Sequence, residues 1–503
     1  MPALPKSLSR ICVALGSASP ATLAQAAERE FKDGNTFLEF RLDYLPVPEN
    51  GIALIEAFLK TRPEANVLAT CRLSGHSGHF KGTIDQQTRL LAKAAVAGAF
   101  ALDLEIESAE RATAAVESMR ERTPVVVSYH NFESTPSLEP VLRRLMKVRA
   151  DAYKIATLAR KPTDSLRLVE FLKQHHRKEH HKTPLIAFTM SEQGLCTRIL
   201  SPGLGGLFTY AAPGGADGTA PGQIPARVMK SLYRIDKLSK ESRVYGVIAD
   251  PVGHSKSPQV HNRAFQARWI DAVYLPFHVT QAQLGDFMKL AAKLPMAGFS
   301  VTIPHKQKIM RYLNHVEPLA KRIGAVNTVW RKAGRWRGTN TDVEGVLKPL
   351  SRHLRLAHAT VLLAGYGGAA RAAAFALHDA GAEVSITGRD LRRASVLARA
   401  VNAKAVSLAQ ASDGAYDALV HATPVGMYPK VDESLFPESI PADVVFDMVY
   451  NPYETRLLKH ARQQGCEVIH GADMFLEQAA QQFEIWSGES APREVMQKAL
   501  EAW

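Results

Sequence analysis

A lysine inside an apolar, strand-forming run is the first candidate for chemistry in this sequence. Lys154 stands in the middle of the run 152–156, where its ammonium group would be poorly solvated. Desolvation lowers a lysine pKa, and lowering it from ~10.4 to ~7.5 takes about 4 kcal/mol of differential stabilisation. A neutral amine can attack a ketone and form a Schiff base. We therefore predict that Lys154 is a nucleophile and that His130, at the end of another run, moves protons.

Three arginines, Arg41, Arg72 and Arg198, stand in or just after apolar runs of the first half of the chain. Guanidinium groups bind carboxylates through forked hydrogen bonds, so we expect these residues to hold an anionic substrate. Other polar side chains share this placement; they are Glu39, Asp43, Asp103, Glu105, His130, Lys154 and Gln223. Many fall near the carboxyl ends of predicted strands, where the active sites of (β/α)8 barrels are built.

The apolar runs themselves predict such a barrel. Eight runs rich in β-branched residues occur in the first 212 residues; they are 11–16, 37–45, 67–72, 100–106, 124–130, 152–157, 185–190 and 207–212. Most are separated by amphipathic stretches such as 86–98. Strands that alternate with helices indicate parallel βαβ units, and eight units in this length favour a (β/α)8 TIM barrel. An open doubly wound sheet is the structural alternative.

A glycine-rich turn organises the second half of the chain. Gly365, Gly367 and Ala370 follow the apolar run 361–364 and fit the G-x-G-x-x-G/A fingerprint of dinucleotide sites. The first glycine permits a tight turn, the second lets the backbone approach a pyrophosphate, and the small third residue lets the helix press on the strand.

The next predicted strand, 383–387, suggests which dinucleotide is bound. An acid at its end would accept hydrogen bonds from the NAD ribose, whereas arginine suits the extra phosphate of NADP. Asp390 keeps NAD possible, but Arg389 together with Arg392 or Arg393 favours NADP.

Length, charge and cysteine usage restrict the class of protein. The 503 residues suggest about three lobes at ~150 residues per domain, and the net charge of +13 would attract small anions. Basic runs such as 177–182 are interpreted as solvated helix ends, and no nucleic-acid module is present.

The four cysteines are far apart and form no CxxC pair, which favours a reducing compartment, the cytoplasm, and argues against a metal site. No apolar run approaches ~18 residues, so no membrane span is expected. The run 11–15 is too short for a signal peptide and fits a first strand.

The first half resembles type I 3-dehydroquinate dehydratase, a Schiff-base-forming barrel enzyme of the shikimate pathway, over most of residues 10–230. The motifs that carry the resemblance are 39–43 (EFRLD), 128–132 (SYHNF), 151–156 (DAYKIA), Met190-Ser191 with Gly194 and Arg198, and 220–223 (APGQ). The resemblance implies that Lys154 forms the imine, and that His130 removes the neighbouring proton and then protonates the departing hydroxyl. It also implies substrate binding by Glu39, Arg41, Arg72, Arg198 and Gln223, and by Thr219 where the family usually has Ser.

One position departs from that family. The family usually has a Glu that pairs with the catalytic His a few residues after Arg72, and an ungapped comparison places His76 there. An imidazole cannot replace a carboxylate that supports a protonated His130. We expect either that His76 substitutes with an altered pH dependence, or that Glu105 or another acid fills the role.

The second half resembles shikimate dehydrogenase over residues 243–490. The motifs are 254–258 (HSKSP), 301–306 (VTIPHK), Asn327-Thr328, 340–342 (NTD), the Gly365 loop, 422–427 (ATPVGM), 447–452 (DMVYNP) and 471–478. The resemblance implies an ion pair of Lys306 and Asp342 beside the substrate carbonyl. Two positions vary, because Gly388 and His421 stand where Asn is usual.

The same resemblance implies the remaining site residues. The carboxylate would be bound by Ser255 and Ser257, although two hydroxyls before a helix are more often an N-cap. The ring hydroxyls would be read by Thr302, Asn327, Asp342 and Gln478, with Tyr450 lining the cleft. The cofactor-binding residues would be Gly365, Gly367, Gly368, Ala369, Arg389, Arg392, Thr423, Met448 and Gly471.

Together the two resemblances imply an α/β chain that dehydrates 3-dehydroquinate to 3-dehydroshikimate and reduces that product to shikimate with NADPH, without a metal. The expected domains are a TIM barrel at 1–236, a two-lobed shikimate-dehydrogenase-like unit with a substrate lobe at 243–345 and a Rossmann NADP lobe at 346–470, and C-terminal helices at 471–503 that return to the substrate lobe. Two alternatives are an oxidoreductase acting on quinate and a metabolite-sensing regulator that has lost activity. The sequence leaves the oligomeric state open.

Overall fold

The computed structural model describes residues 4–5, 8–177, 184–215 and 218–502. Most of the basic run 177–182 lies outside these ranges. By internal packing the chain forms two compact units, one of Met1–Val244 with Asp271–Met296, the other of Tyr245–Ile270 with Ala297–Trp503.

An eight-stranded parallel sheet occupies the first part of the chain. Its strands are β1 Ile11–Leu15, β2 Phe37–Arg41, β3 Asn66–Thr70, β4 Ala101–Glu105, β5 Val125–Asn131, β6 Ala152–Leu158, β7 Leu185–Met190 and β8 Thr209–Ala211. The accompanying helices are α1 Pro20–Lys32, α2 Glu49–Thr61, α3 Ile84–Val96, α4 Ile106–Ala109, α5 Thr113–Arg120, α6 Leu138–Leu145, α7 Pro162–Arg177, α8 Leu195–Leu200 and α9 Ala226–Ser231. The strand order is β7-β6-β5-β4-β3-β2-β1-β8.

This sheet is a nearly closed barrel, which confirms the predicted architecture. The backbone N–H of Leu207 donates to the carbonyl of Leu185 at 2.8 Å, where the two end strands meet. Strands such as β1 are buried along their whole length because helices cover one side and the barrel core the other. Inside the barrel, the rings of Phe37 and Phe208 pack edge-to-face with centroids 4.9 Å apart.

The predicted strand 37–45 was too long. Strand β2 ends at Arg41, and Leu42–Tyr44 form a 3-10 turn. The Arg41 guanidinium bonds Asp43 within this turn at 2.9 and 2.8 Å. This local ion pair satisfies charges that an extended strand would carry into the core.

The second sheet has six strands in the order β10-β9-β11-β13-β14-β12. The strands are β9 Arg243–Ala249, β10 Ala272–His278, β11 Gly298–Val301, β12 His315–Val316, β13 Thr328–Lys332 and β14 Arg335–Thr339. The helices are α10 Ser257–Ala267, α11 Leu284–Lys293, α12 Pro318–Ile323 and α13 Asp342–Leu350. Strands β9 and β11 run parallel, so their carboxyl ends lie at the same edge.

The third sheet is doubly wound. Its strands are β15 Thr360–Ala364, β16 Glu383–Thr387, β17 Lys404–Ala405, β18 Tyr416–His421, β19 Ala442–Asp447 and β20 Glu467–Ile469. The order β17-β16-β15-β18-β19-β20 is the 3-2-1-4-5-6 arrangement of Rossmann folds, in which ligands bind where the order reverses. The helices are α14 Gly368–Asp379, α15 Leu391–Ala400, α16 Leu408–Ser412, α17 Arg456–Gln463, α18 Gly471–Ser487 and α19 Arg493–Glu501.

Helix α18 leaves the Rossmann sheet and packs on α13. Near its end, the indole N–H of Trp486 donates to the carbonyl of Val329 in β13 at 3.0 Å. These contacts agree with the predicted return of the C-terminal helices to the substrate lobe, and the domain bounds stay a prediction. Every helix in the described ranges is too short or too polar to cross a membrane.

Candidate active sites

One cavity in the barrel brings together all the barrel residues predicted for the site. It encloses about 410 Å3 of empty space, part of it open to solvent. The predicted residues in its lining are Glu39, Arg41, Arg72, His130, Lys154, Arg198, Thr219 and Gln223. They come from different strands and their following loops because parallel strands end at one rim of the barrel.

Lys154 lies at the centre of this cavity on β6 and is 4% exposed. Its Nζ is 3.2 Å from Oδ2 of Asp103 and 3.9 Å from the centroid of the Tyr210 ring. Burial is the largest influence on the pKa of Lys154 and lowers it below the ordinary lysine value, although Asp103 and Glu39 raise it. The predicted direction of the shift is confirmed, and its cause is desolvation.

Asp103 is a site residue to which the sequence analysis assigned no role. Its Oδ1 accepts hydrogen bonds from Arg72 at 3.0 Å and from the Ser128 hydroxyl at 2.8 Å, while Oδ2 faces Lys154. Burial alone would raise the pKa of Asp103, but Lys154 and Arg72 hold it below its usual value. An acid inside an otherwise apolar strand was the available signal, because a buried carboxylate needs cationic or hydrogen-bonding partners.

His130 has no carboxylate among its hydrogen-bond partners in the described chain. Its Nδ1 is buried without a hydrogen bond, and the ring stacks on Phe132 at 6.1 Å. Burial, and then the charges of Arg72 and Lys154, place the pKa of His130 well below its ordinary range. The imidazole is therefore neutral near pH 7 and able to accept a proton.

The structure supports neither substitute for the missing glutamate. The carboxylate of Glu105 accepts from the backbone N–H of Leu73 at 3.1 Å and from Gln87 Nε2 at 2.9 Å, so it fastens the loop after β3. At that loop the cavity wall is formed by Ser77, and His76 is not among the lining residues.

The three arginines differ in whether they already form an ion pair with an acid. Arg41 pairs with Asp43, and Arg72 pairs with Asp103. Arg198 has no acid partner in the described chain. It is fully buried and donates only to the backbone carbonyls of Tyr210 at 3.1 Å and Pro221 at 3.2 Å.

Arg198 is therefore the arginine best suited to an anionic ligand. Its guanidinium carbon lies 4.6 Å from the centroid of the Phe188 ring, and burial lowers its pKa to about 9. A buried cation without a counter-ion is unfavourable, and an incoming carboxylate would remove that penalty.

Gln223 and Thr219 are arranged by their own loop. Oε1 of Gln223 accepts from the backbone N–H groups of Thr219 at 2.7 Å and Ala220 at 3.3 Å. Glu39, another residue of the cavity wall, accepts from the Thr70 hydroxyl at 2.7 Å. The amide and the carboxylate are thus held in place before any ligand binds.

The second site is built on Lys306 and Asp342. Nζ of Lys306 lies 2.5 Å from Oδ2 of Asp342, and Nδ2 of Asn327 donates to the other carboxylate oxygen at 2.7 Å. Asp342 is the first residue of α13, and its N–H donates to Asn340 at 3.0 Å. The predicted ion pair is confirmed, and Asn327 fixes its carboxylate.

Gln482 is a further residue that sequence reasoning missed. Its Nε2 donates to the Thr328 hydroxyl at 3.0 Å and to the carbonyl of Asn327 at 3.3 Å, and its Oε1 accepts from Ser300 at 2.8 Å. The signal was its position four residues after Gln478, because such residues share one face of a helix. Gln482 therefore holds the backbone of Asn327 and the side chain of Thr328 in place.

The remaining predicted substrate residues lie around the same strand ends. Ser255 follows β9 and Thr302 follows β11, two parallel neighbours whose carboxyl ends meet at one edge. Ser257 opens α10, and its N–H donates to the Ser255 hydroxyl at 3.3 Å. Gln478 donates to the carbonyl of Phe475 at 3.1 Å.

Tyr450 packs beside the same helix, with its ring 5.0 Å from that of Phe475. Burial raises the pKa of Tyr450 to about 12. The substrate contacts of Ser255, Ser257, Thr302 and Gln478, like those of Tyr450, stay predictions.

The glycine loop lies directly beside Lys306. Gly365 has φ +128, and a Cβ there would come within 2.8 Å of the Ala422 carbonyl. A Cβ on Gly368 would lie 3.1 Å from Cβ of Lys306. Because α14 begins at Gly368 with Gly367 as its N-cap, its first N–H groups are open to a phosphate.

Asp390, the acid that follows β16, already accepts hydrogen bonds from backbone N–H groups of α15. Asp390 caps α15 by accepting from the N–H groups of Arg392 at 3.0 Å and Arg393 at 3.2 Å. Its carboxylate is therefore poorly placed to bind a ribose, whereas Arg389, Arg392 and Arg393 all remain exposed. This geometry supports NADP over NAD.

The other predicted cofactor residues, Thr423, Met448 and Gly471, follow β18, β19 and β20 in turn. The Thr423 hydroxyl lies 2.5 Å from Nε2 of His421, whose Nδ1 lies 2.9 Å from Asp447. Gly471 lies against the backbone of Met448 and Val449. A Cβ on Gly471 would come within 2.4 Å of the carbonyl oxygen of Val449.

Comparison with known proteins identifies the family. A family model described as type I 3-dehydroquinase matches residues 11–240, one for the shikimate dehydrogenase substrate binding domain matches 247–329, and one for the shikimate 5'-dehydrogenase C-terminal domain matches 471–501. A bifunctional 3-dehydroquinate dehydratase/shikimate dehydrogenase, chloroplastic, from Arabidopsis thaliana is 33% identical over 97% of this chain and 84% of its own length. The chain belongs to this bifunctional family.

Single-function relatives match the second half of this bifunctional family member. A shikimate dehydrogenase (NADP(+)) from Bacillus cereus is 42% identical over 49% of this chain and 93% of its own length. A crystal structure of a shikimate dehydrogenase in complex with NADP+ is 37% identical, covers 52% of this chain and 96% of that chain, and has a TM-score of 0.50.

Proposed function

We propose that this chain catalyses two successive reactions of the shikimate pathway. The barrel dehydrates 3-dehydroquinate to 3-dehydroshikimate, and the second unit reduces 3-dehydroshikimate to shikimate with NADPH. The observation that carries the proposal is a buried amine, Lys154, sharing its cavity with Arg198, a buried cation that has no acid partner in the described part of the chain. A ketone that also bears a carboxylate satisfies both groups.

In the first reaction, the neutral Nζ of Lys154 attacks the ketone carbon, and loss of water gives an imine. The imine withdraws electrons, so His130 can accept a proton from the adjacent carbon. The resulting enamine expels the hydroxyl group as His130 returns that proton to the leaving oxygen. Water then hydrolyses the imine, releasing the product and the free amine.

Substrate orientation follows from the charges of the cavity. Arg198 binds the carboxylate, because among the described residues it is the cavity arginine that pairs with no acid. Gln223 and Glu39, both fixed by their neighbours, hydrogen-bond the ring hydroxyls. Asp103 holds Lys154 in position while Arg72 limits how far that carboxylate can raise the amine pKa.

In the second reaction, NADPH supplies the hydride. Lys306 donates an N–H hydrogen bond to the substrate carbonyl, stabilises the oxygen as negative charge develops, and delivers a proton to it. Asp342 orients the Lys306 ammonium, and Asn327 keeps that carboxylate from turning away. The position of Gly368 against Lys306 makes the glycine loop and the proton donor parts of one site.

NADP is the cofactor that the second unit best fits. Arg389 and Arg393 are exposed at the end of β16, while Asp390 is used as a helix cap. The Bacillus cereus relative is named as NADP(+)-dependent, and the matched crystal structure contains NADP+.

The alternatives are less well supported. A sensing regulator would have no need of two lysines, Lys154 and Lys306, that are each paired with an aspartate. For the compartment, we propose a reducing one, the cytoplasm, because all four cysteines are free and three are buried. The Arabidopsis relative is named chloroplastic.

The test is trapping combined with a coupled assay. Sodium borohydride added with 3-dehydroquinate is expected to reduce the imine and leave a mass tag on Lys154, and Lys154→Met serves as the untagged control. 3-Dehydroquinate with NADPH, but without added 3-dehydroshikimate, is expected to consume NADPH. An active enzyme that carries no tag would refute the imine, and NADPH consumption only from added 3-dehydroshikimate would refute the first reaction.

A further inference from the structure

The aromatic residue within the glycine loop makes two contacts that the fingerprint does not require. Tyr366 stands between Gly365 and Gly367, after β15. Its ring lies 4.6 Å, centroid to guanidinium carbon, from Arg393 in the first turn of α15. Its other contact is Gly388, the residue that follows β16, where a Cβ would come within 2.8 Å of Tyr366 Cε1 and 3.0 Å of Cδ1.

These contacts place the Tyr366 ring where a dinucleotide ribose is read. Strands β15 and β16 are parallel neighbours, and the N–H of Gly365 donates to the carbonyl of Thr387 at 2.9 Å, so the two strand ends lie side by side. In Rossmann folds the end of the second strand meets the ribose that carries the 2′ substituent. An arginine there binds the 2′-phosphate that distinguishes NADP from NAD.

Arg393 is otherwise weakly restrained. Its side chain is exposed, and Asp390, three residues before it, accepts from its backbone N–H. An arginine at an exposed helix start samples many rotamers, so binding a phosphate costs it conformational entropy. A ring beneath the guanidinium restricts those rotamers through a cation–π contact and leaves the N–H edges free.

We propose that Tyr366 is a specificity-determining residue that positions Arg393 for the 2′-phosphate of NADP, and that Gly388 is small so that the Tyr366 ring fits there. The inference rests on the proposed NADP-dependent reduction and names the residues that make it selective. Arg389 would be a second phosphate ligand without this restraint. Tyr366 is thus a positioning residue that acts through Arg393.

The test compares two probes that differ only in the phosphate, 2′,5′-ADP and 5′-AMP, by calorimetry on the full chain. We expect Tyr366→Leu to raise the Kd for 2′,5′-ADP by roughly 2–5-fold, the range of an exposed cation–π contact, and to leave the Kd for 5′-AMP unchanged. Tyr366→Phe keeps the ring and is expected to bind like the wild type. The dehydratase activity and the thermal unfolding temperature of each variant check that the chain is folded.

Two further variants locate the effect. In an Arg393→Ala background, Tyr366→Leu is expected to have no additional effect on 2′,5′-ADP, because the residue being positioned is absent. Gly388→Ala is expected to weaken 2′,5′-ADP by displacing the ring, and to lose that effect when Tyr366 is already Leu.

The outcomes separate this inference from the function on which it rests. Equal weakening of both probes, tighter binding of 2′,5′-ADP, or an undiminished effect in the Arg393→Ala background would overturn the role of Tyr366 while leaving NADP dependence intact. A wild type that does not distinguish the two probes would instead overturn the NADP preference itself, and the inference with it.

Discussion

Two lysines, each facing an aspartate, occupy the two sites of this chain, and their surroundings give them different chemistry. Lys154 is 4% exposed and lies 3.2 Å from Asp103, an aspartate shared with Arg72. The Lys306 side chain is 13% exposed and lies 2.5 Å from Asp342, which Asn327 holds from the other side. The Asp103 carboxylate pairs with two cations, Arg72 and Lys154, whereas the Asp342 carboxylate pairs with one, Lys306.

The comparison shows that an aspartate neighbour does not by itself define what a lysine does. Desolvation and the nearby Arg72 lower the pKa of Lys154 in spite of Asp103, and a neutral amine is a nucleophile. Lys306 has a dedicated partner in Asp342 and lies against Gly368 at the start of α14, which suits a donor to a developing alkoxide. Burial and the number of competing cations decide between the two roles.

The strongest way to break this comparison is to remove each amine in turn. We expect Lys154→Met to abolish dehydration, by at least ~10⁴-fold as for loss of a nucleophile, while 3-dehydroshikimate reduction continues. Lys306→Met is expected to lower kcat of the reduction by ~10²–10⁴-fold with little change in NADPH affinity, while dehydration continues. Separate assays of the two reactions measure both. A Lys306→Met enzyme with normal kcat would remove that lysine from the mechanism.

The unpaired cation provides the next test. Arg198→Met keeps most of the side-chain volume but loses charge-assisted hydrogen bonds to the substrate carboxylate, worth about 1.5–3 kcal/mol each. We expect KM for 3-dehydroquinate to rise by roughly 10–100-fold. Arg89→Met, on the exposed face of α3, is the matched control. If KM of Arg198→Met stayed within twofold of the control, the carboxylate would have to bind elsewhere.

The pH dependence of imine trapping sharpens the account of Lys154. Because burial lowers the pKa of Lys154 and Asp103 raises it, Asp103→Asn should lower that pKa further. The neutral amine then persists to lower pH, so the acid limb of trapping by cyanoborohydride should move to lower pH. Ser128→Ala removes a hydrogen bond to Asp103 but keeps the charge of Asp103. The acid limb of trapping in this variant should therefore stay at the pH of the wild type. A shift to higher pH in Asp103→Asn would contradict the assignment.

The smallest effect is expected from replacing Gln482, which hydrogen-bonds the backbone of Asn327. Gln482→Leu removes the bonds to Thr328, Asn327 and Ser300, so Asn327 should hold Asp342 less firmly. We expect kcat of the reduction to fall about 3–10-fold, for a loss near 1 kcal/mol, with KM for NADPH unchanged. Gln481→Leu is the neighbouring control. An equal loss in both variants would indicate general destabilisation of α18 instead.

Much of the fold was predictable from the sequence because it depends on local patterns. Eight apolar runs separated by amphipathic helices predicted the barrel, and the spacing of Gly365, Gly367 and Ala370 predicted the turn that opens α14. Strand ends were less predictable. Strand β2 stops at Arg41 because Asp43 closes an ion pair within a turn, and side-chain pairing of that kind leaves no mark on hydrophobic periodicity.

The sequence by itself determined the residue types that can do chemistry, because Lys154 in an apolar run and a glycine loop before a helix are local properties of the chain. Only the tertiary structure decided how those residues are partnered. It paired Asp103 with Lys154, paired Arg198 with no acid among the described residues, and bonded Glu105 to the loop after β3 instead of to His130. It also set Tyr366 against Gly388 and Arg393. Such partners lie on separate strands and loops, so the register of the sheets, which pattern alone does not encode, selects them.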